Sequence, residues 1–196
     1  MRHRLFAPLA VALAVGALAP ATAEAQSRGD KYYGVQAGAS LSSFINDVYV
    51  TDSRWGFTGG LFAGRRPQRN VALTLEANWV QKGVTESDVE DTGIRLDYIQ
   101  VPFTVTGGSG GFGAYIGVGI GFKVGCSGGA EAACDNAKGT EWTLPFGLMY
   151  QAPLKNGKFI GFDVRYDLGL SDAFDNTDIR NRAWLFRIQF GGVKGP

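Results

Sequence analysis

The sequence predicts an all-β chain, an eight-stranded antiparallel up-and-down transmembrane β-barrel, on three observations. Residues 160–170 set Ile160, Phe162, Val164, Tyr166, Leu168 and Leu170 in strict alternation with Gly161, Asp163, Arg165, Asp167 and Gly169, the period of a strand with one apolar face. A secretory leader precedes the strands: Arg2, His3 and Arg4, then an apolar run over residues 5–18, then Ala23-Glu24-Ala25 as an A-x-A cleavage site. The connections between alternating segments go long, short, long, short, long, short, long, as in bacterial barrels with tight periplasmic turns and extended outer loops. Together they turn the strands inside out, so that apolar faces meet lipid and charges face a packed interior.

Residues 1–25 are therefore expected to be a signal peptide and residues 26–196 the barrel domain. The first strand is expected over residues 32–41, with Tyr33, Val35, Ala37, Ala39 and Leu41 on one face. A polar loop over residues 42–54 leads to a second strand over 55–64, carrying Trp55, Phe57, Leu61 and Ala63, and then to a turn over 65–69. Residues 71–80 set Val71, Leu73, Leu75, Ala77 and Trp79 against Thr74, Glu76 and Asn78, before an acidic loop over 81–92. In the fourth strand, residues 93–105, the outward set Ile99, Val101, Phe103 and Val105 is regular, but Asp97 falls on the same parity. A Gly-rich turn over 106–110 joins it to the longest alternation, residues 112–124. The cysteine-bearing loop 125–140, strand 142–150, turn 153–157, strand 160–170, loop 171–180 and strand 181–190 complete the series.

All four tryptophans, Trp55, Trp79, Trp142 and Trp184, fall at strand ends beside long loops, whereas the short-turn ends carry Tyr32, Phe103, Phe112, Tyr150, Phe159 and Phe190. Two interfacial aromatic girdles follow. The inward parity takes Glu76, Lys123, Asp163, Arg165, Asp167 and Arg187, three acids and three bases, which must pair if they leave water. Across the last hairpin a register that sums to 350 sets Asp163 opposite Arg187 and Tyr166 opposite Trp184; one that sums to 352 opposes Arg165 and Arg187. Opposite charges favour the first.

The chain has 196 residues, 29 of them Gly, with 45% hydrophobic and 19% charged. Loss of the leader leaves 17 basic and 17 acidic residues, which gives no basic face for nucleic acid. It also removes His3, the single histidine. Triads, histidine bases and histidine metal ligands are excluded with it, so no catalytic, cofactor or metal residue is assigned. Cys126 and Cys134, in a chain exported to an oxidising compartment, are expected to form a disulfide.

The segment 96–103, Leu-Asp-Tyr-Ile-Gln-Val-Pro-Phe, the segment 162–169 and the alanine-rich leader resemble the PorT-like family of outer-membrane β-barrel domains, over most of residues 32–192. The resemblance implies a Gram-negative outer-membrane location, with lipid and the barrel-assembly machinery as partners and a surface or secretion partner of unknown identity. Some relatives are linked to a secretion and gliding apparatus.

Two patterns carry less than they suggest. Residues 108–113 match G-x-G-x-x-G, but the following segment has the period of a strand and not of the helix that dinucleotide binding needs, so a tight turn is expected. The acidic loop residues Glu86, Asp88, Glu90, Asp91, Asp172, Asp175 and Asp178 match no calcium-loop spacing, and Arg65, Arg66, Arg69, Lys155 and Lys158 read as solubilising charge at the short turns. The functional expectation is a non-enzymatic barrel with a structural, surface-contact or partner-recognition role. A narrow transporter of a small or hydrophobic molecule and a soluble lipocalin-like binder, with apolar residues lining the inside, are the competing readings.

Overall fold

The computed structural model describes residues 29–45, 52–85, 93–128, 134–175 and 178–195. They form β1 (Lys31–Ile45), β2 (Arg54–Gln68), β3 (Val71–Gly83), β4 (Arg95–Ser109), β5 (Phe112–Ser127), β6 (Thr140–Pro153), β7 (Lys158–Asp172) and β8 (Arg180–Lys194). Each strand pairs antiparallel with its sequence neighbour, and β8 pairs with β1 to close the barrel. Closure leaves no strand edge unpaired, which is what a sheet in hydrocarbon requires.

The strands outrun the expected ones at both ends, into the short turns as well as toward the long loops. A 15-residue strand such as β1 is roughly 50 Å long and, tilted by about 40°, rises about 38 Å, against an apolar band of about 25 Å. Some 10 Å of barrel wall therefore stands clear of lipid. There the outward face has no need to be apolar, and the alternation fades although pairing continues.

The short connections are tighter than expected. β4 runs through Ser109, so residues 106–109 are strand, and Gly110 and Gly111, at φ of 62° and 87°, alone make the turn. Positive φ at both positions is the two-residue hairpin geometry that matches strand twist. The G-x-G-x-x-G segment is thus a hairpin. Asn156, at φ 60°, serves the β6–β7 connection within a 3-10 turn, Lys155–Gly157.

The outer wall carries exposed Val35, Leu61, Leu75, Ile116, Val118, Leu148, Phe162, Trp184 and Ile188. The inner wall carries Glu76, Asn78, Gln100, Thr143, Asp163, Arg165, Arg187 and Gln189, all buried. This polarity removes the lipocalin-like reading. Asp97 keeps the outward parity between inward Leu96 and Tyr98 yet is buried, where the β4–β5 ladder skips Val124 on β5 and Arg95 pairs with Asp97 at 2.9 Å.

Inward glycines make room for large neighbours. A Cβ on Gly147 would stand 2.7 Å from the Tyr115 hydroxyl, and one on Gly191 2.5 Å from the Phe159 ring. Along β5, Cβ atoms on Gly113, Gly117, Gly119 and Gly121 would press on Thr106, Thr104, Thr143 and Glu141 side chains. The glycines, most of all those along β5, leave the space that large inward side chains of the neighbouring strands fill.

Tyr32 and Phe159 depart from their expected place in the periplasmic girdle. Both are buried inside the barrel, packed with Phe62 and Ala72. Parity explains it, since Tyr32 alternates with lipid-facing Tyr33 and Phe159 with lipid-facing Ile160. They stop the periplasmic mouth, and Tyr33, Phe103, Phe112, Tyr150 and Phe190 remain on the outside near that end.

Candidate functional site

Two features could carry function, the barrel interior and the outer platform of loops. The interior is layered along the strands. Above the Tyr32–Phe62–Phe159 stopper lies a network centred on Glu76, whose Oε2 accepts from Gln36 Nε2 at 2.7 Å, Asn78 Nδ2 at 2.8 Å and Arg187 Nη1 at 3.0 Å. Its Oε1 accepts from Arg165 Nη2. Arg187 Nε donates to Asp163 Oδ1 at 2.7 Å, Tyr115 donates its hydroxyl proton to Asp163 Oδ2 at 2.6 Å, and Arg165 Nε reaches the Tyr115 oxygen at 3.2 Å. Two carboxylates and two guanidiniums from β3, β7 and β8 are thus paired with one another, as buried charges must be, although Arg165 Nη1 has no hydrogen-bond partner.

The register is the one in which Asp163 faces Arg187 and Tyr166 faces Trp184. The charge argument selected it correctly. On the lipid side the same register stacks Tyr166 edge-on against Trp184 at 4.8 Å between ring centres.

Toward the outside an apolar layer of Val80, Ala183 and Leu185 follows. Beyond it Lys82 pairs with Glu141, whose Oε1 also accepts from Gln100 Nε2 at 2.8 Å and whose Oε2 accepts from Asn181 Nδ2 at 2.6 Å. Lys82 Nζ also lies 5.7 Å from the Tyr98 ring centre.

Of the six charges expected inside, Glu76, Asp163, Arg165 and Arg187 come together. Asp167 is buried on the same wall, yet it joins none of these bonds, and its Oδ1 has no hydrogen-bond partner. Lys123 is placed differently. It sits half-buried at the outer rim, where its Nζ donates to the carbonyls of Cys134, at 3.1 Å, and Ala137. It lies so near the end of β5 that its side chain reaches loop carbonyls before it reaches the core.

Lys82 and Glu141 were missed because the first was assigned to a loop and the second fell between the loop ending at 140 and the strand starting at 142. The signal was present: Lys82 continues the inward parity of Glu76, Asn78 and Val80, and Glu141 that of Thr143. Only the strand boundary, drawn at the tryptophans, hid them.

At the outer end Phe44, Ile94, Leu96, Tyr98 and Ala137 form a buried apolar cluster with Val84, Phe174, Ile179 and the two cysteines packed against it. Cys126 and Cys134 are joined in a disulfide. Strand-like pairing of Ala137 with Phe174, a Lys138 N–H to Ala173 carbonyl bond of 2.9 Å and an Asp175 N–H to Asn136 carbonyl bond of 3.0 Å lock the third long connection to the fourth. Asp172 is paired at 3.7 Å with both Lys138 and Arg180. Glu86, Asp88, Glu90 and Asp91, like the leader, lie outside the described residues.

The disulfide acts on this platform and not on the barrel. Cys126→Ser is expected to cost about 2–4 kcal/mol at most, all of it local. A closed barrel in detergent is expected to migrate differently on a gel before and after boiling; the variant should keep that heat-dependent shift while residues 134–139 become open to protease, and collapse of the shift would contradict a local role.

All four tryptophans project from the outer wall, with Trp55 and Trp184 both in register with Leu41. Among the described residues the interior leaves a cavity of about 10 Å³, room for about one water, between Glu76, Tyr115, Met149, Gln151 and Asp163.

Comparison with known proteins fits this architecture. The outer membrane protein beta-barrel domain family model matches residues 9–190. No curated protein matches the sequence. Among solved structures, the outer membrane protein AlkL in lipid bilayers is similar at 12% identity, over 91% of this chain and 96% of that one, with a TM-score of 0.56. Ail, the attachment invasion locus protein of Yersinia pestis, is similar at 14% identity over 84% and 99%, with a TM-score of 0.49. OprG from Pseudomonas aeruginosa is similar at 15% over 86% and 97%, with a TM-score of 0.46. At 12% identity the likeness to AlkL concerns the fold alone.

Proposed function

Because the chain belongs to the outer membrane protein beta-barrel domain family and resides in the bacterial outer membrane, we propose that it is a non-enzymatic, non-conducting barrel whose outer loop platform makes surface contacts or recognises a partner. One observation carries this reading: the lumen is blocked at every level, by aromatic side chains below, a paired ionic network in the middle, and a second ion pair and an apolar cap above. An eight-stranded barrel has an interior just wide enough for side chains to fill. Apart from Asp167, its buried ionisable groups are paired with one another, which supports a structural and not a catalytic role for them.

What the barrel offers to the outside is the platform, held to the rim by the disulfide, by Lys123 and by the Ala137–Phe174 bridge. Its described parts, residues 134–139 and 173–175, suit recognition, because little of their conformational freedom remains to be lost on binding. The PorT-like resemblance extends the reading to a component of a secretion apparatus as the partner, with the barrel-assembly machinery needed for insertion.

Purified protein in planar bilayers is expected to give no sustained ion conductance. Stable open-channel currents would overturn the reading and favour a narrow transporter.

A further inference from the structure

The periplasmic rim is charged on one side only. Lys31, Arg65 and Lys194 are Cα partners across β8, β1 and β2, directly opposite one another. Lys158 on β7 faces Gly192, one outward position along from Lys194. All four are exposed and share the parity of lipid-facing Tyr33, Ile160, Leu61 and Ile188, so they project from the outer wall and not into the lumen. Like charges directly opposite in a sheet repel. None of the four has an ion pair among the described residues, and Asp30, the acid nearest in sequence, is buried.

The other half of the same rim is bare of charge: residues 71–75, 103–109, 112–116 and 148–153 contain no acid or base. Charge placed only for solubility would have no reason to keep to four adjacent strands. Nor would a partner approaching from the periplasm be met best there, because the row lies on the lipid-facing wall at the edge of the apolar band. Four adjacent strands span about 14 Å, enough for more than one headgroup.

We propose that Lys158, Lys194, Lys31 and Arg65 form a binding surface for the phosphate groups of anionic phospholipid in the inner leaflet of the outer membrane, on one side of the barrel. The phosphates relieve the cross-strand repulsion, and Tyr33, exposed one outward position above Lys31, lies against the upper part of the headgroup region. An annulus of anionic lipid on one side also orients that side of the barrel.

The test uses the folded protein in vesicles with spin-labelled phosphatidylglycerol or phosphatidylcholine. Phosphatidylglycerol is expected to associate about fivefold or more in preference, the preference falling toward one as salt rises from about 0.1 to 1 M and shortens the screening length to about 3 Å. Lys31→Gln/Arg65→Gln/Lys194→Gln should abolish it with the heat-dependent gel shift unchanged, Lys31→Arg/Lys194→Arg should retain it, and Arg69→Gln/Lys155→Gln in the turns should leave it intact. No preference in the natural protein, a preference that survives 1 M salt, or equal loss in the turn variant overturns the proposal. So does binding of polyglutamate by the same row without any lipid preference, which assigns the surface to an acidic periplasmic protein. If the triple variant fails to fold, the salt titration of the natural protein decides alone.

Discussion

Glu76→Gln is expected to destabilise the barrel by about 3–5 kcal/mol, the cost of leaving a buried charge without its partner. The carboxylate is shared by Arg165 and Arg187, so its loss strands Arg165 with the Tyr115 hydroxyl while Arg187 keeps Asp163. The effect is therefore tied to Arg165. Arg165→Met alone should also be costly, because Glu76 loses one of its two cations, whereas the double variant should recover part of the stability, with a coupling of about 1–3 kcal/mol. Urea midpoints followed by the heat-dependent gel shift measure all three. Strictly additive losses would show that the two groups are separately solvated and that the network does not close the lumen.

This cluster also shows how far the interior can be read before folding. Alternation places Glu76, Asp163, Arg165 and Arg187 on one wall, and the Asp163–Arg187 register follows from charge, because both are local arguments along one strand or one hairpin. Which cation reaches Glu76 is not local. Arg165 is 89 positions away, on a strand that meets β3 only across the lumen. Ladder parity carries no information about depth in a tilted barrel. For the same reason Asp167 could be placed inside but not given a partner, and Lys123, on the correct parity, could not be known to sit at the rim.

Boundaries failed for a different cause. The eye stops a transmembrane strand where its outward residues cease to be apolar, and in this chain that is at the tryptophans. The wall goes on by two to four residues beyond Trp79 and Trp142, where water replaces lipid and outward positions become polar. Tyr32 and Phe159 were misplaced by the opposite habit, the assignment of aromatics at strand ends to the interface, although their own parity pointed inward.

Lys82→Met is expected to cost about as much as the loss of Glu76, roughly 3–5 kcal/mol, although it lies beyond the tryptophan belt. Burial and not lipid sets the penalty: Lys82 and Glu141 are 1% and 2% exposed. Without the ammonium, Glu141 keeps neutral donors, Gln100 and Asn181, but no cation. Glu141→Gln in the same chain removes the stranded charge and should restore more than half of the loss. The apolar layer of Val80, Ala183 and Leu185 separates this pair from the Glu76 network. Sites that share no hydrogen-bond partner add to within about 0.5 kcal/mol, and Asp167 is a buried charge that acts on both Lys82 and Arg165. Lys82→Met and Glu76→Gln combined should therefore lower stability by nearly the sum of their separate effects, apart from a small coupling through Asp167. A coupling well above that figure would make the interior one continuous network. Lys82→Met should also stay electrically silent in planar bilayers, since Arg165, Arg187, Tyr32 and Phe159 still fill the lumen below; an open current from this variant alone would place the barrier at the outer pair and not at the centre.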